Sequence, residues 1–429
     1  MKKFLMIFIA TMLIAMLASC SNNTTAPEAE GAVTTITLGI VETIPSSGVD
    51  YTMWHVSKFN EEEESYNIEV VNYTGDDVMR LWAELIAGNG PDVIYSAYYD
   101  EGFFGPLKNR DMLADLWPFI DADPEINRSD FFQNILSASQ NPDGSLRTIA
   151  NQFTVPTLIS TSEAVGHVQS FTLNSFLEII SNALDTGIAY PIDRTLSGRG
   201  FIIHMLMYTD IGIIDFDGGV SHFESQMFYD LLDLALLLPR EEALDYDDTF
   251  AGLRNGEHIF TFDLIFNADS FTEYEIFLGD FILLGFPSDE GSRYDAFLST
   301  NLGINENSEN PDAAWSFIRR YLLPNTQIVF TLGMPMRIDL FEQEVEKAMS
   351  ELPDRFADEF GINTHLNALS EESAEVLRET VESISSISRF DITIANIVWE
   401  ELPHFFSGTR TAEDVARIIQ NRVTLYLNE

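Results

Sequence analysis

The chain has 429 residues, with 23 basic against 68 acidic side chains and a formal net charge of −45. That balance opposes binding to nucleic acid or to anionic lipid surfaces, and a single cysteine excludes an intrachain disulfide framework and any multi-cysteine metal site. With 45% hydrophobic residues and 32 phenylalanines the composition is far too apolar for an acidic disordered chain, so a large folded core is expected.

At the N-terminus Lys2 and Lys3 precede an apolar stretch from Phe4 to Ala18 broken only by Thr11. A charged region followed by an apolar one is the pattern of a secretory signal. A spanning helix needs about 18 to 25 apolar residues, so this stretch reads as a removable signal peptide over 1–19. It closes on Leu17-Ala18-Ser19-Cys20, which resembles the bacterial lipobox, where small residues suit the lipoprotein signal peptidase and the cysteine thiol receives lipid. Lipidation of Cys20 would anchor the chain at a cell membrane, facing the extracellular or periplasmic side, because several acyl chains at about 0.8 kcal/mol per buried CH₂ hold firmly. Removal of 1–19 takes away two lysines and no acid, which leaves 21 basic residues against 68 acidic and a charge of −47. Simple solubility accounts for that charge better than any role in a site does. Residues 20–33, rich in Ser, Asn, Thr, Ala, Pro and Glu, read as a disordered tether. About 395 residues remain, more than one core usually supports, so two lobes are expected.

Thr35-Ile36-Thr37-Leu38-Gly39-Ile40 alternates as a strand does and runs into a Pro/Ser/Gly loop from Glu42 to Gly48. Asp50 is placed to cap a helix through Phe59, and Asn67 to Tyr73 is β-branched enough for the next strand. From Asp76, Val78, Leu81, Trp82, Leu85 and Ile86 fall on one helical stripe that Gly88 stops. Pro91 to Tyr95 is a short buried strand, with Tyr98 to Gly102 as the loop after it. Strand, helix and strand in alternation argue for a parallel α/β sheet.

The middle, Leu173 to Leu238, is helix-rich, and Phe260 to Phe266 and Phe281 to Pro287 read as further buried strands. Asn310-Pro311-Asp312 opens a helix that buries Ala314, Trp315, Ile318 and Leu322. Ser370 caps another helix, Asp391 opens one that stops at Gly408, and Thr411 to Asp414 starts the last in the manner of a capping box.

No nucleophile elbow, P-loop or dinucleotide-binding glycine turn is present. The seven histidines are scattered without paired helical spacing. Asp121-Ala122-Asp123 and Asp215-Phe216-Asp217 echo calcium loops, but Ile126 and Val220 stand where such a loop needs its turning glycine. No metal, cofactor or catalytic residue is therefore expected. A glycosidase needs only two carboxylates at the right separation, so a surface glycosidase stays open as the enzymatic alternative.

Several blocks in order resemble the family 1 extracellular solute-binding proteins, the maltose-binding-protein-like group. They are Phe59-Asn60; Leu85-Ile86-Ala87-Gly88-Asn89-Gly90-Pro91-Asp92-Val93; Leu113 to Leu116; Asn310 to Phe317; and Phe406 to Gly408 with Thr411 to Asp414. The resemblance implies a type II periplasmic-binding-protein fold of the α/β class, two lobes with a hinge and a ligand cleft between them. Lobe one is expected over 34–150 and 292–335, lobe two over 151–291 and 336–429. It also implies reversible binding of a sugar or oligosaccharide without turnover, and docking of a monomer on the permease of an ABC transporter. Two departures bear on the ligand. Ser96 stands near the tryptophan many sugar binders carry, and the expected Asp-Gly, aromatic, Pro crossing reads Asp143-Gly144-Ser145 with its proline delayed to Pro156. A peptide or cationic metabolite remains the other ligand class, and a sensor kinase the other partner.

Sugars need flat aromatic faces and carboxylates or amides. Glu42, Tyr98, Tyr99 and Asp100 offer these on expected cleft loops, with Phe390, Asp391 and Trp399 as the candidates from lobe two. Trp82 and Trp315, on apolar helix stripes, read as core.

Overall fold

The first strand, β1 (Thr34–Glu42), is buried from Leu38 to Val41 without interruption, which requires cover on both faces of its sheet. A computed structural model supplies that cover. It describes residues 33–42, 48–75, 77–166, 171–188, 190–193, 196–208, 211–238, 249–288, 291–324, 333–352 and 368–428. The expected signal, Cys20, most of the tether, loop 43–47 and the Asp76 cap lie outside these residues.

After β1 come α1 (Gly48–Glu62), β2 (Tyr66–Thr74), α2 (Asp77–Ile86), β3 (Val93–Tyr98), α3 (Glu101–Asn109), α4 (Trp117–Ala122), α5 (Gln133–Ser139) and the long strand β4 (Ile149–Ser160). The middle holds α6 (Ser162–Val165), α7 (Leu173–Asp185), α8 (Gly198–Tyr208), the hairpin β5 (Ile214–Asp215) and β6 (Val220–Ser221), and α9 (Gln226–Leu237). It ends in α10 (Thr249–Arg254), β7 (Thr261–Ile265), α11 (Ala268–Phe277), β8 (Ile282–Ser288) and β9 (Gly291–Arg293). Then follow β10 (Asp295–Ile304), α12 (Pro311–Leu322), β11 (Met334–Pro335), α13 (Ile338–Ser350), α14 (Glu371–Glu382), β12 (Ser386–Ile387), α15 (Ile392–Phe406) and α16 (Ala412–Leu427).

β1 pairs in parallel with β2 and with β3, the β-α-β opening expected from the sequence. Gly39 is needed at its centre, because a Cβ there would lie 2.6 Å from the Pro91 ring. α1 packs with α12 through Phe59 and Phe317 at 5.6 Å between ring centroids, while α2 meets α3 through Trp82 and Phe103 at 6.0 Å. The helices thus form two groups beside the strands, each placed by an apolar stripe. Trp315 is buried on α12, and its indole N–H donates to Asp123 at 3.1 Å.

Two long strands join the halves of the molecule. β10 runs antiparallel between β3 and β4, and both β4 and β10 are buried at every residue. The first half of β4 pairs with β10 and its second half with β7 and β8, so one strand passes from one core into the other near Thr154 and Val155. The first core gathers β1, β3, α2, α3 and α12, the second α7, α8, α9, α15 and α16.

Phe271 and Tyr274 of α11, Phe341 and Val345 of α13, and Leu377 and Val381 of α14 all join the first core, and the chain returns to the second beyond Ile387. The reason is local packing, since α13 lays Phe341 against Phe132 at 5.2 Å while Glu344 accepts the Ala268 N–H of α11 at 2.8 Å. Among the described residues no helix is long and apolar enough to cross a membrane, and no group of three or more His, Cys, Asp or Glu is placed to hold a metal ion.

Candidate functional site

Where the crossing strands leave the first core, Tyr98 ends β3 opposite Ser299, which in turn faces Gln152, with Phe297 opposite Thr154. Tyr98 is half-buried and packs against both cores. From it a file of rings leads into the second core. Phe297 lies 5.7 Å from Tyr98 and Tyr208 lies 5.7 Å from Phe297. Tyr208 stacks on Phe262 at 5.4 Å, and His204 meets Phe262 edge-on at 4.7 Å. Tyr98, Phe262 and His204 keep part of their surface exposed, while Tyr208 and Phe297 are buried. Burial, with Tyr98 close by, pushes the Tyr208 phenol up to about 12.

Carboxylates border this wall. Asp193 accepts the Phe262 N–H at 3.1 Å. Asp263, the next residue along β7, faces the other way toward the first core and accepts the Leu264 N–H at 2.8 Å and the Tyr274 hydroxyl at 2.8 Å. Burial raises the Asp263 carboxyl to about 6 against these hydrogen bonds, and the Asp193 charge adds to the rise. On the lobe-one side Glu42 ends β1 half-buried, close enough to Tyr95 to help raise that phenol, which burial pushes up to about 12. Aromatic surface with hydrogen-bonded carboxylates at its edge suits a polyhydroxy ligand.

The other candidates from the sequence fall into a different place. Tyr99 is 1% exposed and stacks on Phe104 at 5.6 Å. Its hydroxyl donates to Glu101 Oε2 at 2.8 Å and accepts from Lys108 Nζ at 3.1 Å. Asp100 is buried as the N-cap of α3, where it accepts the Gly102 N–H at 3.1 Å. The stretch expected as an open loop after β3 is thus a strand end followed directly by a helix cap.

Phe390 puts its ring into the second core and its carbonyl accepts the Glu101 N–H at 2.7 Å. Asp391 caps α15 through the N–H groups of Thr393 at 2.8 Å and Ile394 at 3.0 Å, and burial holds its carboxyl up at about 6. Tyr99, Asp100, Phe390 and Asp391 therefore meet at a junction between the N-termini of α3 and α15. Trp399 stands two turns into α15, 39% exposed, with the Arg199 guanidinium 3.3 Å above its ring.

Phe262, Asp263, Asp193 and Tyr208 were not singled out in the sequence. A trace of the signal was present, since Phe260 to Phe266 reads as a buried strand with one acid, Asp263, inside it. A charge in such a run calls for a partner or a function.

No protein-family model matches the sequence, and no curated protein matches it. Solved structures do. The sugar-binding protein MalE from Xanthomonas citri is similar at a TM-score of 0.60 and 15% identity, over 92% of this chain and 98% of that one. The GacH receptor of Streptomyces glaucescens is similar at 0.55 and 12% identity, over 93% and 100%. The ABC substrate-binding protein Lmo0181 from Listeria monocytogenes is similar at 0.55 and 12%, over 92% and 100%. Near-complete coverage of both chains at such low identity establishes a shared fold, two α/β lobes joined by crossing strands, which is the fold the sequence resemblance implied.

Proposed function

We propose that this chain is an extracytoplasmic solute-binding lipoprotein of an ABC importer, which binds a sugar or oligosaccharide between its lobes without chemical turnover. One observation carries the reading. The half-exposed ring of Tyr98 is shared by both cores and that of Phe262 belongs to the second, with Asp193 beside it on the Phe262 N–H. An opening of the lobes about β4 and β10 would admit a ligand to both rings, and a closure would sandwich it. GacH was solved with acarbose and Lmo0181 with cycloalternan, both on this fold, which favours an oligosaccharide over a peptide.

Glu42, Tyr98 and Phe262 are the ligand-contacting side chains in this reading. Cys20 carries the lipid and holds the protein at the outer face of the membrane, beside the permease that receives the solute. A carbohydrate panel read by thermal shift tests the proposal, because a ligand at 100 times its Kd adds about 2.7 kcal/mol to folding stability. Hydrolysis of any panel glycan by the purified protein at enzyme-like rates would exclude the binding-only role.

A further inference from the structure

Glu101, Arg389 and Asp217 come from three separate pieces of chain. Glu101 opens α3 on the first core, Arg389 lies in the segment that carries the chain from β12 to α15, and Asp217 lies in the turn between β5 and β6. Arg389 Nη2 donates to Glu101 Oε1 at 2.8 Å and to Asp217 Oδ1 at 3.0 Å, and Nη1 donates to Asp217 Oδ2 at 2.9 Å. Burial works against the Arg389 charge, but the hydrogen bonds and charges of its two carboxylate partners outweigh it and raise its pKa.

The two bridges are unequal. The Glu101 side chain is 6% exposed and is fixed from behind by the Tyr99 hydroxyl, whereas the Asp217 side chain is 63% exposed. Exposed pairs contribute little, but a buried carboxylate that loses its cation is left at a large desolvation cost. Apolar packing does not fill this place. Cavities of about 430 and 390 Å³ adjoin the cluster, and Asp217, Ile387 and Arg389 line both. The guanidinium and its partners thus bridge α3 to the lobe-two hairpin across this space, beside the Glu101 N–H bond to the Phe390 carbonyl and with the Phe216 ring 5.0 Å from the guanidinium.

We propose that Arg389 is a positioning residue for the two lobes, whose planar fork between Glu101 and Asp217 selects one lobe arrangement and so tunes ligand affinity. The affinity part rests on the solute-binding reading; the geometric part does not. A guanidinium is required because its fixed donors span two carboxylates at once, which a lysine ammonium on a flexible stem does not reproduce.

The experiment is a spin-label distance measurement without ligand on the full chain carrying Cys20→Ala. Labels go at Met79→Cys on α2 and Leu237→Cys on α9, both largely exposed. With Arg389 present a single distance is expected. Arg389→Gln should add a second distance populated above about 10%, Asp217→Asn should give a smaller change of the same kind, and Arg389→Lys should restore only part of the single distance. Should Arg389→Gln not fold, Asp217→Asn, with its exposed side chain, still carries the test. Distance distributions identical to that of the unsubstituted chain in the folded variants would overturn the proposal. For a sugar found in the panel, the apparent Kd should shift by about tenfold in Arg389→Gln. A panel without ligands would sink the sugar reading and leave the distance result standing.

Discussion

Tyr98 and Tyr99 are neighbours in sequence at the end of one strand, and they belong to two different regions. Tyr98 opens the aromatic wall, half-exposed and shared by both cores, whereas Tyr99 lies under Phe104 with its hydroxyl committed to Glu101. What separates them is the immediate start of α3, since Asp100 caps the helix and turns its neighbour inward. The end of a parallel strand thus marks where a site is to be sought, but the chain that follows decides which side chain reaches it.

The largest expected effect separates the two regions directly. Tyr99→Ala empties a fully buried aromatic position and should cost about 3 to 5 kcal/mol of stability in urea titration. Tyr98→Ala, part-exposed and without a buried hydroxyl bond to lose, should cost less than about 2 kcal/mol and weaken sugar binding by about tenfold or more. Equal losses of stability with unaltered binding in both variants would erase the distinction and remove the wall from consideration.

Smaller, and dependent on pH, is the contribution of one buried carboxyl in each region. Asp263 behind the wall and Asp391 at the junction are both raised by burial to about 6 from an ordinary value of 3.8. A carboxyl with its folded pKa above its unfolded one binds protons more tightly in the native state. Its contribution is complete below about pH 4 and is lost as pH rises through 6, so stability should fall across that window. Replacement by the neutral amide should therefore raise stability at pH 7.5 by about 1 to 2 kcal/mol for either residue and flatten the profile between pH 4 and 7. Asparagine also serves as a helix cap, so Asp391→Asn keeps α15 intact. Neither substitution should change sugar affinity by more than about twofold, since both carboxyls face away from the wall. Unaltered pH profiles of stability in both variants would show that neither carboxyl is raised by its surroundings.

Much of the fold was legible because it is written locally. The stripe from Val78 to Leu85, the Asn310-Pro311-Asp312 opening and the caps at Ser370, Asp391 and Thr411 each need only a few neighbouring residues to be read, and each forms there, although Ile86 at the end of the stripe is 63% exposed and Asn310 opens its helix without a side-chain cap bond. The site was less legible because its parts are distant in sequence. Nothing near Phe262 announces that Tyr208 stacks on it, and nothing near Arg389 names Glu101 and Asp217 as its partners. The same limit explains α14, whose Ser370 cap is read from its neighbours while the core that receives the helix is not.

Trp399 provides the smallest expected effect, and it bears on both regions because it lies on the helix that Asp391 opens. An exposed tryptophan on a fold shared with sugar-binding proteins invites assignment to the ligand. Its surroundings account for it otherwise: the ring supports the Arg199 guanidinium, and the same arginine donates to the Trp399 carbonyl at 2.6 Å. Trp399→Ala removes the ring and leaves that carbonyl in place, so the loss is confined to a cation–π contact worth about 0.5 to 1 kcal/mol at an exposed position and some packing. Stability should fall by less than about 1.5 kcal/mol, and sugar affinity should change by less than about twofold. If isothermal titration instead showed binding abolished in Trp399→Ala while Tyr98→Ala bound normally, the ligand would lie against α15, and the wall between Tyr98 and Phe262 would be packing alone.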